Sequence, residues 1–352
     1  MLPGYEGQRA ENMWWAFSTK RQSDYDTPVL TADLTLMHPF REPNVAEVTK
    51  EMRSDRATYG KGHEFSTNVW EVARDIRFSR TLDGSSLILG WAFAFAMGKV
   101  LSGQRDPTNY PNVYYHTITF FDPVTEETAM LPTTSIVESV AAGIKKLYYS
   151  LAVASLTLSA EGFEHLSLAV DMIGSGQSAD SAIDKPEMPS LSYLTSNSAV
   201  IKMGDAEEDI STRIRSWSIA LNNNPKESRG YFPGSGTYRG RMEIGARSIV
   251  PSLVLDLDET DDILKDFLDG TQLALDILCE GATIGGSYKH YLRIRFPDLK
   301  YRATPIEESD GVFTYAVAFD EETVLYDENA TPAPLVQVDV QNTQQTYLTA
   351  SS

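Results

Sequence analysis

Apolar and polar residues alternate along most of this chain, and they recur at helical spacing in only two places. Ala32–Leu36 sets Ala32, Leu34 and Leu36 against Asp33 and Thr35, which predicts a strand. Trp70–Phe78 does so more loosely, with Val72, Ile76 and Phe78 on one face, and Val113–Phe121 (VYYHTITFF) is β-branched and aromatic. Leu147–Leu158 (LYYSLAVASLTL) alternates, Glu161-Gly162 reads as a turn, and Phe163–Ile173 reads as the return strand of a hairpin. Further on, Arg213–Leu221 predicts a strand, and Met242–Leu257 one or two more with Leu253, Leu255 and Leu257 on one face. A short helix is expected at Thr260–Leu268, and Leu273–Cys279 is apolar at each odd position. A closing hairpin is expected from Tyr291–Tyr301 and Val312–Phe319, turning at Ser309-Asp310-Gly311.

The exception to alternation is SSLILGWAFAFAMG, residues 85–98. A membrane-spanning helix needs about 20 apolar residues, so a run of this length predicts a buried core helix. Ser85 or Ser86 suits the N-cap and Gly98 the C-terminal stop. Leu87, Trp91 and Phe95 form one stripe and Leu89, Phe93 and Met97 another, so the helix needs cover on more than one side. Its expected counterpart at 260–268 is amphipathic, with Ile263, Leu264, Phe267 and Leu268 inward and Asp262, Lys265, Asp266 and Asp269 outward.

The two halves share an order: strand, helix, strand, closing hairpin. This predicts an internal duplication. The Gly/Ser/Pro/Asp-rich seam Gly174–Pro189 places a linker at 178–192, between domains at 31–177 and 193–325, with arms at 1–30 and 326–352. Each half has a long polar loop, Phe40–Gly62 and Asn222–Gly236, of a length that is usually functional.

Composition narrows the chemistry. The 352 residues are 42% hydrophobic and 22% charged, which is ordinary for a globular protein, and no secretory signal or membrane span is expected. A net charge of −19 argues against a protein that grips phosphates. The five histidines, His38, His63, His116, His165 and His290, have no helical metal-pair spacing, and Cys279, the single cysteine, reads as a core residue. Gly234, Gly236 and Gly240 lack a dinucleotide fingerprint. The acids Asp256, Asp258, Glu259, Asp261 and Asp262 lack the EF-hand glycine and closing glutamate and suit a helix N-terminus instead. Neither a cofactor nor a metal nor an enzymatic activity is expected.

Four passages together resemble the tail tube proteins of tailed bacteriophages, in the group that carries the tube fold twice. They are WWAFSTKRQSDYDTPVLTADLTLMHPF, SWSIALNNNP, the strand–helix–strand run GARSIVPSLVLDLDETDDILKDFLDGT with LALDILCEG, and YLRIRFPDLKYRATPIEESDGVFTYAVAFD. The resemblance covers about residues 12 to 325 and rests on the ordered set. It implies a mainly β protein of two tandem β-sandwich or barrel domains, each with one flanking α-helix, plus extended terminal arms. It implies a structural virion protein whose rings stack into a tube for genome ejection. The partners are then further copies of this chain, in trimeric pseudo-sixfold rings or alternatively hexameric ones. Tape-measure, terminator and baseplate proteins follow as partners, together with transient, non-specific passage of DNA. The chain itself is not expected to insert in a membrane. The location implied is the virion tail, with the host cytoplasm during assembly.

On this reading Asp256, Asp258, Asp276 and Glu280, opposite the apolar faces of their strands, are lumen-facing acids. Arg53, Asp55, Arg56, Asn223, Lys226 and Arg229 belong to loops that reach the next ring. Trp91, Phe93 and Phe95 contact another subunit or domain, and Trp14 and Trp15 belong to an arm that lashes a neighbour. Two other readings stay open on the residues alone: a different tail, terminator or baseplate protein, and a β-sandwich carbohydrate-binding module or hydrolase.

Overall fold

β-Branched and aromatic residues at period two give strands, and here they pair antiparallel throughout. The computed structural model describes residues 10–54, 66, 68–121, 130–141, 144–204, 208–226, 230–258, 263–309, 311–320 and 336–351. In chain order the first strands are β1 (Trp14–Ala16), β2 (Glu47–Ser54) and β3 (Val69–Asp83). After helix α1 (Ser86–Met97) come β4 (Gly98–Asp106), β5 (Tyr110–Phe120), β6 (Thr134–Ala141), β7 (Ile144–Glu161), β8 (Ser167–Gly174) and β9 (Ser178–Asp180). Then follow β10 (Ala199–Met203), β11 (Glu208–Asp209), β12 (Ile214–Asn222) and β13 (Ser248–Asp256). Past helix α2 (Ile263–Asp269) lie β14 (Gln272–Gly285), β15 (Tyr288–Ala303), β16 (Ile306–Ser309), β17 (Val312–Phe319) and β18 (Gln337–Asn342).

Two large sheets face each other. The first, the long sheet, runs β2-β3-β8-β7-β12-β13-β17-β16. It crosses both halves of the sequence, because β7 pairs with β12 from Ser216↔Glu161 to Asn222↔Ser155. The second runs β4-β5-β18-β15-β14-β10-β11, so β18, near the C-terminus, is wedged between one strand from each half. The N-terminal part of β7 turns away to pair with β6 and β9, and β6 pairs with β1. Ser150, at this change of partner, has φ +59. Its backbone N–H donates to Gln22 Oε1 at 2.8 Å, and its hydroxyl donates to the Tyr25 carbonyl, contacts that hold a conformation costly for a non-glycine residue.

α1 lies between the sheets, against β7 on one side and β18, β5, β4 and β15 on the other. Ser85 Oγ accepts from the Ile88 N–H at 3.3 Å, and Gly98 ends the helix at φ +93, bonded to the Ala94 carbonyl. The remaining cover comes from the terminal segments. Trp15 and Phe17 stack against each other and meet Trp91, whose indole N–H donates to the Ser18 carbonyl at 3.0 Å. The Tyr347 ring lies so close to Gly90 that a Cβ there would fall 2.6 Å from its hydroxyl. Trp91, Phe93 and Phe95 are buried in this way within one chain. Each such large side chain contributes roughly 1.5–3 kcal/mol by leaving water.

Several sequence expectations need correcting. Ala32–Leu36 is not a strand: Thr31–Asp33 form a short 3-10 turn, and Leu36 makes only an isolated bridge with Phe17. The polar loop Phe40–Gly62 contains β2. The closing hairpin is β16–β17, while β15 pairs along most of its length with β14 and β18 and reaches β17 only through Tyr301 and Ala303. Leu268 points outward, 73% exposed, while α2 lies against β15 and buries Ile263. The stretches expected as terminal arms hold β1 and β18, both packed on the chain's own body. Among the described residues, no helix is long and apolar enough to cross a membrane.

Candidate functional site

Alternation gives the long sheet one face on the core and one open face. Ile76, Phe78, Leu156, Leu168, Ile219, Leu253 and Val317 point inward and are buried. The residues between them on the same strands form the open face: Ser79 and Thr81, Ser155, Thr157 and Ser159, Ser167 and Ala169, Ser216, Ser218 and Ala220, Ser252, Ala316 and Ala318. Most of this surface is hydroxyls and methyls, with Arg77, Asp83 and Asp171 among them. Asp171 accepts from Ser79 Oγ at 2.5 Å and from Ser155 Oγ at 3.1 Å, Asp83 is ion-paired with Arg41 at 2.6 Å, and Ser218 and Ser252 share a hydrogen bond of 2.7 Å.

The four expected acids divide between the sheets. Asp256 ends β13 on the open face of the long sheet and is ion-paired with Arg215 at 2.5 Å. Asp258 follows it and is exposed. Asp276 and Glu280 instead lie on β14, on the outer face of the second sheet. Asp276 accepts from Arg293 Nε at 2.9 Å, and Glu280 is 2.7 Å from Lys289 Nζ.

The two ends of the long sheet differ, because its strands do not all stop at the same level. At one end β2 and β3 continue as a two-stranded projection. The last β3–β8 pair is Ile76↔Gly174, whereas β2–β3 pairing runs on to Ser54↔Val69. Met52, Val69 and Trp70 on this projection and Val48 at its base are exposed, and Arg53 is exposed and ion-paired with Glu51 at 3.0 Å. Asp55, Arg56 and Arg229 lie outside the described residues.

The second loop does not project in the same way. Asn223 is buried and donates to the Ala96 carbonyl at 3.0 Å and the Val153 carbonyl at 2.9 Å, while Lys226 is exposed. Beyond it, the loop leans across to β3. The buried Arg239 guanidinium donates to the Gly174 carbonyl at 2.8 Å and to Asp75 at 2.6 Å, and the Tyr231 hydroxyl donates to the same carboxylate at 2.7 Å. Burial and the neighbouring Asp75 push the Tyr231 pKa up, which keeps that hydroxyl a donor. Arg247 reaches the C-terminus of α1, where it donates to the carbonyls of Met97 and Phe121 at 3.3 Å and lies 4.2 Å over the Phe121 ring. Burial lowers its pKa to about 10, and the helix-end carbonyls favour its charge.

Trp14 and Trp15 are buried, the first beneath Lys145 and the second in the aromatic cluster over α1. Neither outer edge of the long sheet, β2 or β16, has a strand partner among the described residues. The sequence reading missed these two edges. It also missed β18, although Val336, Val338 and Val340 alternate cleanly and could have marked it.

A family profile described as phage tail tube protein matches residues 76–344, more than half of the chain. A search of curated proteins returns no match.

Proposed function

The chain belongs to the phage tail tube protein family, and from that premise we propose that it self-assembles into stacked rings around a lumen that conducts the genome. The observation that carries this reading is the long sheet, with its open face of small residues and an unpartnered edge at each side among the described residues. Bare edges invite pairing with another strand. Joining β2 of one copy to β16 of the next uses both edges in a heterologous contact, which closes into a ring when the rotation closes.

The succession β2-β3-β8-β7 is followed by β12-β13-β17-β16, in which each group places a long-loop hairpin beside a short-turn hairpin. This order supports an internal duplication and three chains per pseudo-sixfold ring, with six chains as the alternative. The open face then lines the lumen and offers phosphates few cations to bind, so DNA passes without being held. Asp256 belongs to that wall, and Asp276 and Glu280 to the tube exterior. The role is structural and not enzymatic, in the virion tail after assembly in the host cytoplasm, with tape-measure, terminator and baseplate proteins as partners.

Negative-stain electron microscopy of the purified chain tests this. Rings or tubes with a pore of DNA width are expected. Val48→Lys combined with Ile306→Lys puts like charge on both exposed edges and should leave monomers. Rings that persist in this double variant would remove the edges from the reading.

A further inference from the structure

The second sheet also has an open face, and it is built differently from that of the long sheet. Val338, Val340, Leu292 and Ile294 turn onto the core and are buried, so the residues between them face out. Cross-strand partners share a face. Tyr115, Gln341 and Tyr291 therefore form one rung across β5, β18 and β15, and Thr117, Asp339 and Arg293 form the next. A groove of about 450 Å³, lined by Tyr115, Tyr291, Arg293 and Asp339 among others, lies over these rungs. Small-ligand sites usually measure roughly 300–1,000 Å³. Both halves of the sequence and the C-terminal strand contribute to it, so the groove is a property of the whole chain.

Its parts are held in place. The Tyr115 ring crosses β4 directly over Gly103, where a Cβ would fall 2.6 Å from the ring, so glycine is what leaves it room. The Arg105 guanidinium lies 4.5 Å over the same ring and donates to Gln341 Oε1 at 3.0 Å and to the Tyr291 hydroxyl at 2.9 Å. Past the end of β18 the flanking hairpins meet, with Tyr110 over Gly286 and edge-on to Tyr288 at 5.5 Å. The charges are matched as well. Arg293 Nε donates to Asp276 at 2.9 Å, Arg295 donates to Asp339 at 2.5 Å, and Lys289 lies 2.7 Å from Glu280. In a chain of net charge −19, each of these three acids has its own cation.

We propose that this groove binds a neutral oligosaccharide. Matched charges give a polyanion little to hold. The lining has one aliphatic side chain, Leu278, which is too few for an apolar peptide or a lipid chain. What it offers instead suits a sugar. The Arg105 plane, braced on Tyr115 and beside Tyr291, meets the C–H side of a pyranose ring, while forked guanidinium and carboxylate groups meet its adjacent hydroxyls. Such a site is weak singly and firm when many copies are displayed together. The groove lies within one chain, so the proposal stands apart from the ring reading. On that reading the second sheet faces away from the lumen, and the site recurs in every copy.

The test is an array of neutral gluco-, galacto- and manno-oligosaccharides beside sialylated and sulfated ones, probed with the full-length chain. Binding is expected to neutral members alone. Arg105→Ala should weaken it by about tenfold, because a forked, charge-assisted donor is lost. Gly103→Ala, which pushes the Tyr115 ring aside, and Tyr291→Phe, which removes the hydroxyl that positions Arg105, should weaken it less. Leu101→Ser, on the same face but outside the groove, should bind as wild type does. Arg105 and Leu101 are exposed, so both of these variants should melt with the wild type, and loss of binding in the first alone is then not misfolding. Three results would each overturn the proposal: no neutral glycan bound, binding to the acidic glycans instead, or neutral binding unchanged in Arg105→Ala. None of them bears on ring formation, which electron microscopy of the same samples reads separately.

Discussion

Arg80 on β3 and Glu138 on β6 form an ion pair closed to solvent, each side chain 1% exposed. The guanidinium lies 4.3 Å over the Phe78 ring and 5.0 Å over Phe40, and the second Glu138 oxygen accepts from the Ala46 N–H at 3.1 Å. The pair therefore ties β3, β6 and the chain leading into β2 together beneath the long sheet. Removing one member leaves a buried charge unanswered. Glu138→Leu should cost about 3–5 kcal/mol, and Arg80→Met/Glu138→Leu should recover most of that loss. Urea unfolding at neutral pH measures both; a double variant as unstable as the single one would mean that packing, and not charge, dominates the site.

Two buried histidines predict acid sensitivity. His38 bonds Ser85 Oγ at 3.1 Å and the Pro39 carbonyl at 2.7 Å; His116 bonds Ser102 Oγ at 2.8 Å and the Gln344 carbonyl at 2.9 Å. Burial lowers both pKa values to about 4. An unfolded histidine titrates near ~6.5, so between these values the unfolded chain binds more protons. Stability is then fully present above about 6.5 and falls as the pH drops toward 4. The urea midpoint should be lower at pH 5 than at pH 7, with a smaller difference in His116→Gln. An unchanged midpoint would contradict neutral burial.

The two helices should differ in tolerance. Phe93 is 0% exposed, and truncating it to alanine should cost about 3–5 kcal/mol. Trp91→Glu or Phe93→Glu should abolish folding or assembly. Lys265, on the open side of α2, should accept glutamate within about 0.5 kcal/mol. Thermal melts of these variants decide it, and equal losses at the two helices would remove the asymmetry.

The division of the acids between two sheets gives a test of which surface meets DNA. Thr157→Lys with Ser218→Lys places cations on the open face of the long sheet and should slow genome ejection without altering tube assembly. Glu280→Lys, on the second sheet, should leave ejection at the wild-type rate. Slowing by Glu280→Lys alone would place the second sheet, and not the first, at the lumen.

What could be read from sequence was whatever depends on neighbours along the chain. β3, β7, β12 and β14 announce themselves because burial on one face enforces alternation, as at Leu273, Leu275, Ile277 and Cys279. The ends of α1 were legible because Ser85 and Gly98 perform local tasks, a cap and a left-handed stop. β2 was hidden because almost all of it is exposed, which leaves no apolar face to enforce a pattern. Ala32–Leu36 misled because alternation without a pairing partner is not a strand. The relation of the halves was invisible for a different reason. The β7–β12 pairing and the wedging of β18 between β5 and β15 are contacts between distant residues, and nothing in either segment names the other. The meaning of Ser155, Thr157 and Ser159 likewise emerged only beside Ser216, Ser218 and Ser252. One such row is an ordinary polar face; several in register make a surface.

The wedged strand also sets a schedule. β18 fills the gap between β5 and β15, and Tyr347 closes over Gly90 of α1, so the second sheet and the central helix wait on residues 337–347. On the ribosome, the most apolar helix of the chain is made early and stays partly bare until about 240 further residues have been added. Translation speed across the second half thus sets how long that helix is open to wrong partners.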